Sequence, residues 1–215
     1  MGYPPRIFVP GMSMHVIRRG NNRGAIVADD VDRNILLRQI RTAAGSVGVS
    51  VHAYVLMTTH YHLIVTPHDE QALAQMMKML GEDYVRYFNR RHTRVGTLWT
   101  GRPRAIPLTD PVYWLTCLRY LAQNPPRAKM VSAPEDYRWS SYRILGLGEP
   151  SDWLTLHDLY IQLGRTPAER QAAYRAICAN PLTESELAEQ RYPIRNRKPS
   201  TGKIELVSDT TLTRV

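Results

Sequence analysis

The chain has 215 residues, of which 43% are hydrophobic, and its 28 Lys and Arg outnumber 19 Asp and Glu to give a formal net charge of +9. This length suits one domain of usual size with an appendage, and the lack of any apolar run near ~18 residues excludes a transmembrane helix. The first residues lack the apolar core of a secretion signal, and Cys117 and Cys178 are too far apart for a zinc knuckle, so we expect a reducing, cytoplasmic setting.

The excess of positive charge predicts a polyanionic partner, most often nucleic acid. Much of it lies between residues 86 and 104, where six arginines occur without an acidic residue. Three aromatic residues, Tyr87, Phe88 and Trp99, lie among these arginines, a pattern that is typical of phosphate contacts combined with base stacking. The alternative is a solvated helix face followed by a basic loop.

The first part of the chain predicts a strand, a helix and a pair of strands. Residues 12–19 are strand-like and end at a turn rich in Gly and Asn, after which residues 25–27 predict a short return strand. Asp29 or Asp30 can cap a helix with apolar positions at Val31, Ile35, Ile40 and Ala44, which ends near Gly45 or Gly48. Residues 51–67 then predict two strands joined at Thr58-Thr59.

His60 and His62 lie at the start of the second strand of this pair. Because successive side chains of a strand alternate between faces, both histidines point to one face, and Tyr61 and Leu63 to the other. Two imidazoles about 6–7 Å apart on one strand face can converge on a single metal ion. A chance His-x-His pair is the competing interpretation, so a metal site needs further ligands from elsewhere in the chain.

The next part of the chain predicts two more helices around a short strand. The first helix runs from a cap at Asp69 to about Arg91, residues 104–108 form an edge strand, and Asp110-Pro111 begins a helix that ends before Pro125-Pro126. The order strand, helix, strand, strand, helix, strand, helix predicts a ferredoxin-like α+β sandwich with an antiparallel sheet and one extra helix.

The sequence changes character after Tyr142, where glycines and a proline indicate a boundary. We therefore predict a main domain over residues 1–145, a helical extension over 150–190 and a basic, flexible tail over 191–215. Capping boxes that begin at Thr166 and Thr183 predict two short helices in the extension.

The helix after Asp110 carries Tyr113, Tyr120 and Asn124 on one face, because they are spaced by whole turns. Tyr120 and Asn124 are one turn apart and can project together. An amide oxygen is a suitable ligand for Mg²⁺ or Mn²⁺, and a tyrosine hydroxyl can act as a nucleophile. Tyr113 is a competing nucleophile, and a packing tyrosine beside an asparagine that ends the helix is the structural alternative.

Taken together, five segments resemble the IS200-like single-tyrosine (Y1) transposases, which have the HUH endonuclease fold. They are Arg19-Gly20-Asn21-Asn22-Arg23, His60-Tyr61-His62, Gly101-Arg102-Pro103-Arg104-Ala105-Ile106-Pro107, Tyr120-Leu121-Ala122-Gln123-Asn124-Pro125 and Trp139-Ser140-Ser141-Tyr142. The Tyr-x-x-x-Asn-Pro element makes the chain similar to the REP-associated tyrosine transposase branch. The resemblance covers about residues 5–145. The chain departs from the family pattern at Thr58-Thr59, Leu121-Ala122-Gln123, Pro126 and Lys129, none of which is an expected ligand or nucleophile.

This resemblance implies a metal-dependent transposase that cleaves and rejoins single-stranded DNA at hairpin-bearing, REP-like sequences through a 5′-phosphotyrosine intermediate. It implies Tyr120 as the nucleophile, and His60, His62 and Asn124 as ligands of Mg²⁺ or Mn²⁺. The expected DNA-binding residues are Arg18, Arg19, Asn22, Arg23, Arg86, Arg90, Arg91, Arg102 and Arg104.

Two other functions stay open from the sequence alone. One is a domesticated, catalytically inactive DNA-binding protein of the same fold. The other is a metal-dependent hydrolase that uses the histidine pair and water, so that cleavage survives the loss of Tyr120. The sequence also leaves open a monomer or a homodimer that exchanges its tyrosine helix, and it predicts no membrane partner.

Overall fold

A four-stranded sheet lies at the centre of the computed structural model, which describes residues 8–191. The strands are β1 (Met14–Arg19), β2 (Val49–Leu56), β3 (His60–Pro67) and β4 (Arg104–Pro107). The helices are α1 (Asp30–Val47), α2 (Ala72–Arg91), α3 (Pro111–Arg127), α4 (Tyr142–Leu147), α5 (Asp158–Ile161), α6 (Pro167–Ala179) and α7 (Glu184–Arg191).

The sheet has the order β2-β3-β1-β4, and all neighbouring strands are antiparallel. With α1 after β1 and α2 after β3, this is the predicted ferredoxin-like α+β arrangement, which is confirmed. β4 is an edge strand, where Pro107 removes no central ladder bond. Helices α1 and α2 cover one face of the sheet, called the α1–α2 face, and α3 covers the other, called the α3 face.

The first two helices begin and end as their sequence predicts. The Asp29 side chain caps α1 by accepting from the Asp32 amide at 3.1 Å, and Gly48 ends the helix with φ of 70°. Asp69 accepts from the Ala72 amide at 2.8 Å at the start of α2. Val31, one of the apolar positions whose spacing predicted α1, is 53% exposed in the first turn of this helix.

Two local predictions are wrong. Residues 25–27 form no strand: Ile26 is buried, but its amide makes one bond, to the Thr58 carbonyl, instead of a ladder. Helix α3 also continues through Pro125-Pro126. Proline has a helical φ and destabilises a helix mainly in its interior. Here the two prolines lie in the last turn of α3, and the Ala128 amide, which follows them, donates to the Asn124 carbonyl at 3.0 Å.

Helices α5 to α7 share their core with the rest of the molecule. The Tyr160 hydroxyl donates to Leu145 O at 2.6 Å, and the Tyr174 ring lies 5.5 Å from the Tyr142 ring. The two predicted capping boxes form, at Thr166 with Glu169 and at Thr183 with Glu186. The predicted tail lies outside the described residues beyond 191, and the division into domains stays a prediction.

No helix within residues 8–191 has both the length and the apolar character that crossing a bilayer requires.

Candidate active site

Strand β3 places His60 and His62 together on the α3 face, with their ring centroids 4.9 Å apart. In the ladder with β1, His60 lies opposite Arg19 and His62 opposite Ile17. The predicted common face of the two histidines is therefore what the structure shows, and Tyr61 between them faces α2, where its hydroxyl meets Met77.

Helix α3 brings Tyr120 to this histidine pair within the same chain. The Tyr120 ring centroid is 5.4 Å from that of His62 and 6.1 Å from that of His15, both in edge-on contacts. Tyr113 lies two turns earlier on α3, about 10 Å away along the helix axis. Of the two tyrosines proposed from the sequence, Tyr120 is the one that contacts His62.

The position of α3 is fixed at both ends. Asp110 caps its start by accepting from the Val112 amide at 2.7 Å. Near its end, the Gln123 side-chain amide donates to the carbonyls of Cys178 at 2.8 Å and Asn180 at 2.6 Å, and Arg119 pairs with Glu186. Helices α6 and α7 thus hold the segment that carries Tyr120 against the sheet.

A third imidazole, His15 on β1, is part of the site and was not predicted from the sequence. Its Nε2 is 2.8 Å from Nδ1 of His62, and both rings are fully buried. The strand pattern puts His15 on one face with Ile17 and Arg19, but the sequence does not give the register of β1 against β3. The signal available in the sequence was a polar side chain, His15, between apolar residues of a predicted strand, because a buried polar group needs a partner.

Burial keeps these imidazoles neutral. It lowers the pKa of His15 to about 3 and of His60 to about 4, and neighbouring Arg104 and Arg19 add to the effect by repelling a second positive charge. Burial lowers the pKa of His62 well below its ordinary value, and His15 and His60 add to this shift. Neutral imidazoles can donate a lone pair to a metal ion.

The hydrogen bond between His15 and His62 decides which nitrogen of His62 is available. Among the described residues, Nε2 of His62 is buried and has no hydrogen-bond partner. A neutral imidazole carries one proton, so Nε2 has a free lone pair when Nδ1–H donates to Nε2 of His15. In this tautomer the unpartnered Nε2 fits a metal ligand.

Asn124 follows Tyr120 by one turn and is buried. Its Nδ2 donates to the Tyr120 carbonyl at 2.9 Å, which leaves Oδ1 as its ligand atom. Within residues 8–191, no group of three or more His, Cys, Asp or Glu side chains can hold a metal ion. Imidazole nitrogens are ligands for many divalent ions, whereas an amide oxygen such as that of Asn124 is the kind of donor that Mg²⁺ and Mn²⁺ prefer.

The expected DNA-binding residues fall into separate groups. Arg19 and Arg104 lie on the α3 face, since Arg19 is opposite His60 and Arg104 is opposite Ile17. Asn22 and Arg23 are exposed in the turn that follows β1, and both have positive φ.

The remaining expected DNA contacts lie away from the histidines. Arg86 and Arg90 line a groove on α2 together with Arg91, whose guanidinium already pairs with Asp29 at 2.7 Å and with Asp32. Arg18 is buried on the α1–α2 face, and Arg102 lines a cleft beside it.

Comparison with models of protein families matches residues 8–123 to the family described as IS200-like transposases. The matched segment covers more than half of the chain and runs from just before β1 to the last part of α3. The chain belongs to the IS200-like transposase family. Its role as a transposase is the one that the resemblance of the five segments implied.

Solved structures show the same fold in a related transposase. A REP-associated tyrosine transposase bound to a REP hairpin matches with a TM-score of 0.53 and 16% identity, over 72% of this chain and 92% of that one. A transposase-like protein from Deinococcus radiodurans matches at a TM-score of 0.39 and 17% identity, over 60% and 92% of the two chains. The tRNA(His) guanylyltransferase from Saccharomyces cerevisiae matches at 0.42 and 11%, over 83% and 82%. No curated protein matches the chain.

Proposed function

We propose that this IS200-like transposase cleaves and rejoins single-stranded DNA with Tyr120 as the nucleophile. The observation that carries the proposal is the 5.4 Å contact between the Tyr120 and His62 rings within one chain. Some of the other tyrosine hydroxyls have structural acceptors: Tyr84 donates to Ile26 O at 2.7 Å, and Tyr160 to Leu145 O at 2.6 Å.

The proposed reaction exchanges one phosphate ester for another. The Tyr120 Oη attacks the phosphorus of a DNA phosphodiester and loses its proton, the bond from phosphorus to the 3′ oxygen breaks, and the 3′ oxygen leaves as a protonated hydroxyl. The product is a 5′-phosphotyrosine link and a free 3′-hydroxyl. Because the link retains the energy of a phosphodiester, a 3′-hydroxyl can reverse the step without a nucleotide cofactor.

Three side chains would hold the metal ion in this proposal: His60, His62 and Asn124. A bound Mg²⁺ or Mn²⁺ supplies positive charge to the phosphate oxygens of the scissile group. In the tautomer that this proposal requires, Nδ1–H of His62 donates to Nε2 of His15, so that His15 would be a positioning residue for the metal ligand.

Positive side chains around the site would bind the DNA backbone. The Arg127 guanidinium lies 5.7 Å from the Tyr120 ring centroid, and Arg19 and Arg104 share the α3 face. The chain's overall charge of +9 supports this electrostatic attraction. Hairpin-bearing, REP-like DNA is the proposed substrate, on the basis of the Tyr-x-x-x-Asn-Pro element, and the cytoplasm is the proposed compartment.

A monomer suffices for the chemistry in this proposal, because Tyr120 and the histidine pair come from one chain. A homodimer is therefore not needed to complete the site. The arrangement also argues against a hydrolase that uses the histidines alone, since the phenol lies in direct contact with them.

The test is a denaturing gel with labelled hairpin DNA, Mn²⁺ and the matched variants Tyr120→Phe and Tyr113→Phe. We expect a covalent protein–DNA adduct with wild type and with Tyr113→Phe, and none with Tyr120→Phe. An adduct that forms at the wild-type rate in Tyr120→Phe would disprove the assignment. Cleavage without an adduct in Tyr120→Phe would instead support the hydrolase.

A further inference from the structure

A buried positive charge lies on the α1–α2 face, opposite to Tyr120. The Arg18 side chain is 9% exposed, its Nη1 donates to the Met77 carbonyl at 2.8 Å, and its guanidinium lies 4.6 Å from the centroid of the Trp99 ring. Its Nε is buried and has no hydrogen-bond partner among the described residues. The ion pairs formed within residues 8–191 do not include Arg18.

A buried charge without a counter-ion is destabilising. The Met77 carbonyl, the Trp99 ring and the neighbouring Tyr61 hydroxyl offset part of this cost. An anion that completes the coordination of the guanidinium would offset the rest.

Helix α2 accommodates this charge by having a glycine beside it. A Cβ on Gly81 would lie 2.9 Å from Nη2 of Arg18. A glycine inside a helix is destabilising relative to alanine. The helix is therefore less stable than it could be at the one position where the guanidinium passes.

Arg18 faces two adjoining cavities of about 440 and 570 Å³ between α2 and the segment before β4. Both are lined by Arg18, Met77 and Lys78. One of them adds Arg102 and the other adds the single carboxylate, Glu82. The remaining walls are mostly apolar, with contributions from Phe8, Leu73, Ala105, Val85 and Trp99.

The walls combine an excess of positive charge with apolar surface, which is the combination that a nucleotide requires. The phosphate would contact the guanidinium and Lys78, and the base or sugar would contact the apolar wall. A free phosphate ion would use the charge but not the apolar surface.

We propose that this Arg18 cleft binds one nucleotide of a single-stranded segment of the DNA substrate. The inference rests on the proposed function, because it takes DNA as the substrate. The segment from Arg102 to Arg104 links the two faces: Arg102 lines the cleft and Arg104 lies on the α3 face. Two residues of extended chain span about 7 Å, so a DNA strand can pass around the β4 edge from one arginine to the other.

Binding is best measured in a Tyr120→Phe background without metal, so that no adduct forms. The probe is a hairpin oligodeoxynucleotide with single-stranded flanks, titrated at two salt concentrations. Arg18→Met removes the charge but keeps a long side chain, and Arg38→Met removes the same charge from an exposed position on α1.

We expect Arg18→Met to raise the Kd by about 10-fold, to reduce the salt slope by about 1, and to leave the melting temperature unchanged or higher. Arg38→Met should change the Kd by less than about 2-fold, and its effect should not depend on the flanks. Equal Kd values for Arg18→Met and Arg38→Met would overturn the proposal.

A second variant covers the case in which Arg18→Met does not fold. Gly81→Ala keeps the charge and favours the helix, but its Cβ displaces the guanidinium, so we expect weaker DNA binding in a protein of equal or higher stability. Unchanged affinity in Gly81→Ala would count against the cleft.

Two further arms separate the possible ligands and the two proposals. Binding of a flank-free hairpin or of inorganic phosphate that is as sensitive to Arg18→Met as the flanked hairpin would overturn a nucleotide site. In the protein with Tyr120 intact, the control Arg38→Met should still form the adduct at the wild-type rate. If wild type binds DNA through Arg18 but forms no adduct, the proposed chemistry fails and the cleft stands.

Discussion

The two faces of the central sheet differ in what they bury. The α3 face buries a group of imidazoles, whereas the strands contribute mostly apolar side chains to the α1–α2 face, such as Val16, Leu63 and Val65, together with the buried charge of Arg18. Buried polar groups are costly unless they are hydrogen-bonded. On each face, we assign the buried polar groups that have hydrogen-bond partners within the fold to structure, and those that lack a partner to function.

Most of the polar groups on the α3 face are satisfied within the fold. His52 bonds to the Thr155 carbonyl and to the Thr66 hydroxyl, both at 2.8 Å, and Ser13 bonds to Thr66 at 2.9 Å. His62 differs, because its Nε2 has no hydrogen-bond partner among the described residues and Tyr120 lies beside its ring. Nδ1 of His15 is likewise buried and has no hydrogen-bond partner among the described residues. Of these two incompletely bonded histidines, His62 has the ring nearer to Tyr120, and we assign it to chemistry.

The largest expected effect comes from comparing neighbours that point to opposite faces. His62→Ala should lower Mn²⁺ affinity by at least about 100-fold and abolish adduct formation, because it removes a proposed metal ligand. Tyr61→Phe removes a hydroxyl whose neighbours, Met77 and Arg18, lie on the α1–α2 face, so it should leave both nearly unchanged. Calorimetric titration with Mn²⁺ and the adduct gel measure the two quantities. Equal losses in both variants would erase the distinction between the faces.

A smaller effect is expected from His15, which touches His62 without being a proposed ligand. His15→Phe should weaken Mn²⁺ binding by about 10- to 100-fold, because His62 loses the acceptor that holds its tautomer. In wild type, ¹⁵N NMR should show the His62 proton on Nδ1, and in the variant a mixture of tautomers. A wild-type proton on Nε2 would contradict the role of His15.

The buried imidazoles should also make stability depend on pH. Burial lowers the pKa of His52 to about 4 from 6.5. Because the unfolded chain takes up a proton near pH 6.5 and the folded chain does not, stability should be full above pH 6.5 and fall as the pH drops towards 4. The loss from this group is at most about 3 kcal/mol.

His52→Gln keeps a polar side chain that does not titrate, so its unfolding free energy should fall less between pH 7 and 4. Urea denaturation at each pH measures this difference. Identical pH dependence in wild type and variant would show that His52 does not contribute.

The smallest effect on the reaction is expected on the α1–α2 face, where the Tyr84 hydroxyl donates to the Ile26 carbonyl and so has a structural role. Tyr84→Phe leaves the Ile26 carbonyl without its donor and should cost about 1–3 kcal/mol of stability. Adduct formation at saturating DNA should stay at the wild-type rate when measured well below the melting temperature. Slower adduct formation under these conditions, well below the melting temperature, would mean that the α1–α2 face also affects the chemistry.

Local patterns predicted much of the fold, because they depend on short stretches of chain. The alternation of residues 60–65 predicted which side chains share a face, and Asp29, Gly48 and Asp69 predicted helix ends. The continuation of α3 through Pro125-Pro126 was missed, because amides beyond the prolines close its last turn.

The pairing of the site residues was less predictable, because it depends on tertiary contacts. The register of β1 against β3 brings His15 to His62, and the sequence of either strand alone does not contain it. Likewise, the sequence predicted Arg18 as a DNA contact, but only the packing of α2 against β1 shows that its side chain is buried beside Met77. Tyr120 and Asn124 were identified through a family resemblance, since many helices carry such a pair.

The central claim is that the histidine pair and Tyr120 of one chain form a single active site. It is tested most directly by mixing two inactive variants, His62→Ala and Tyr120→Phe, with hairpin DNA and Mn²⁺. If each site is built within one chain, the mixture should form no more adduct than either variant alone. Recovery of the adduct on mixing would show that Tyr120 acts on the histidines of a second chain and would contradict the account.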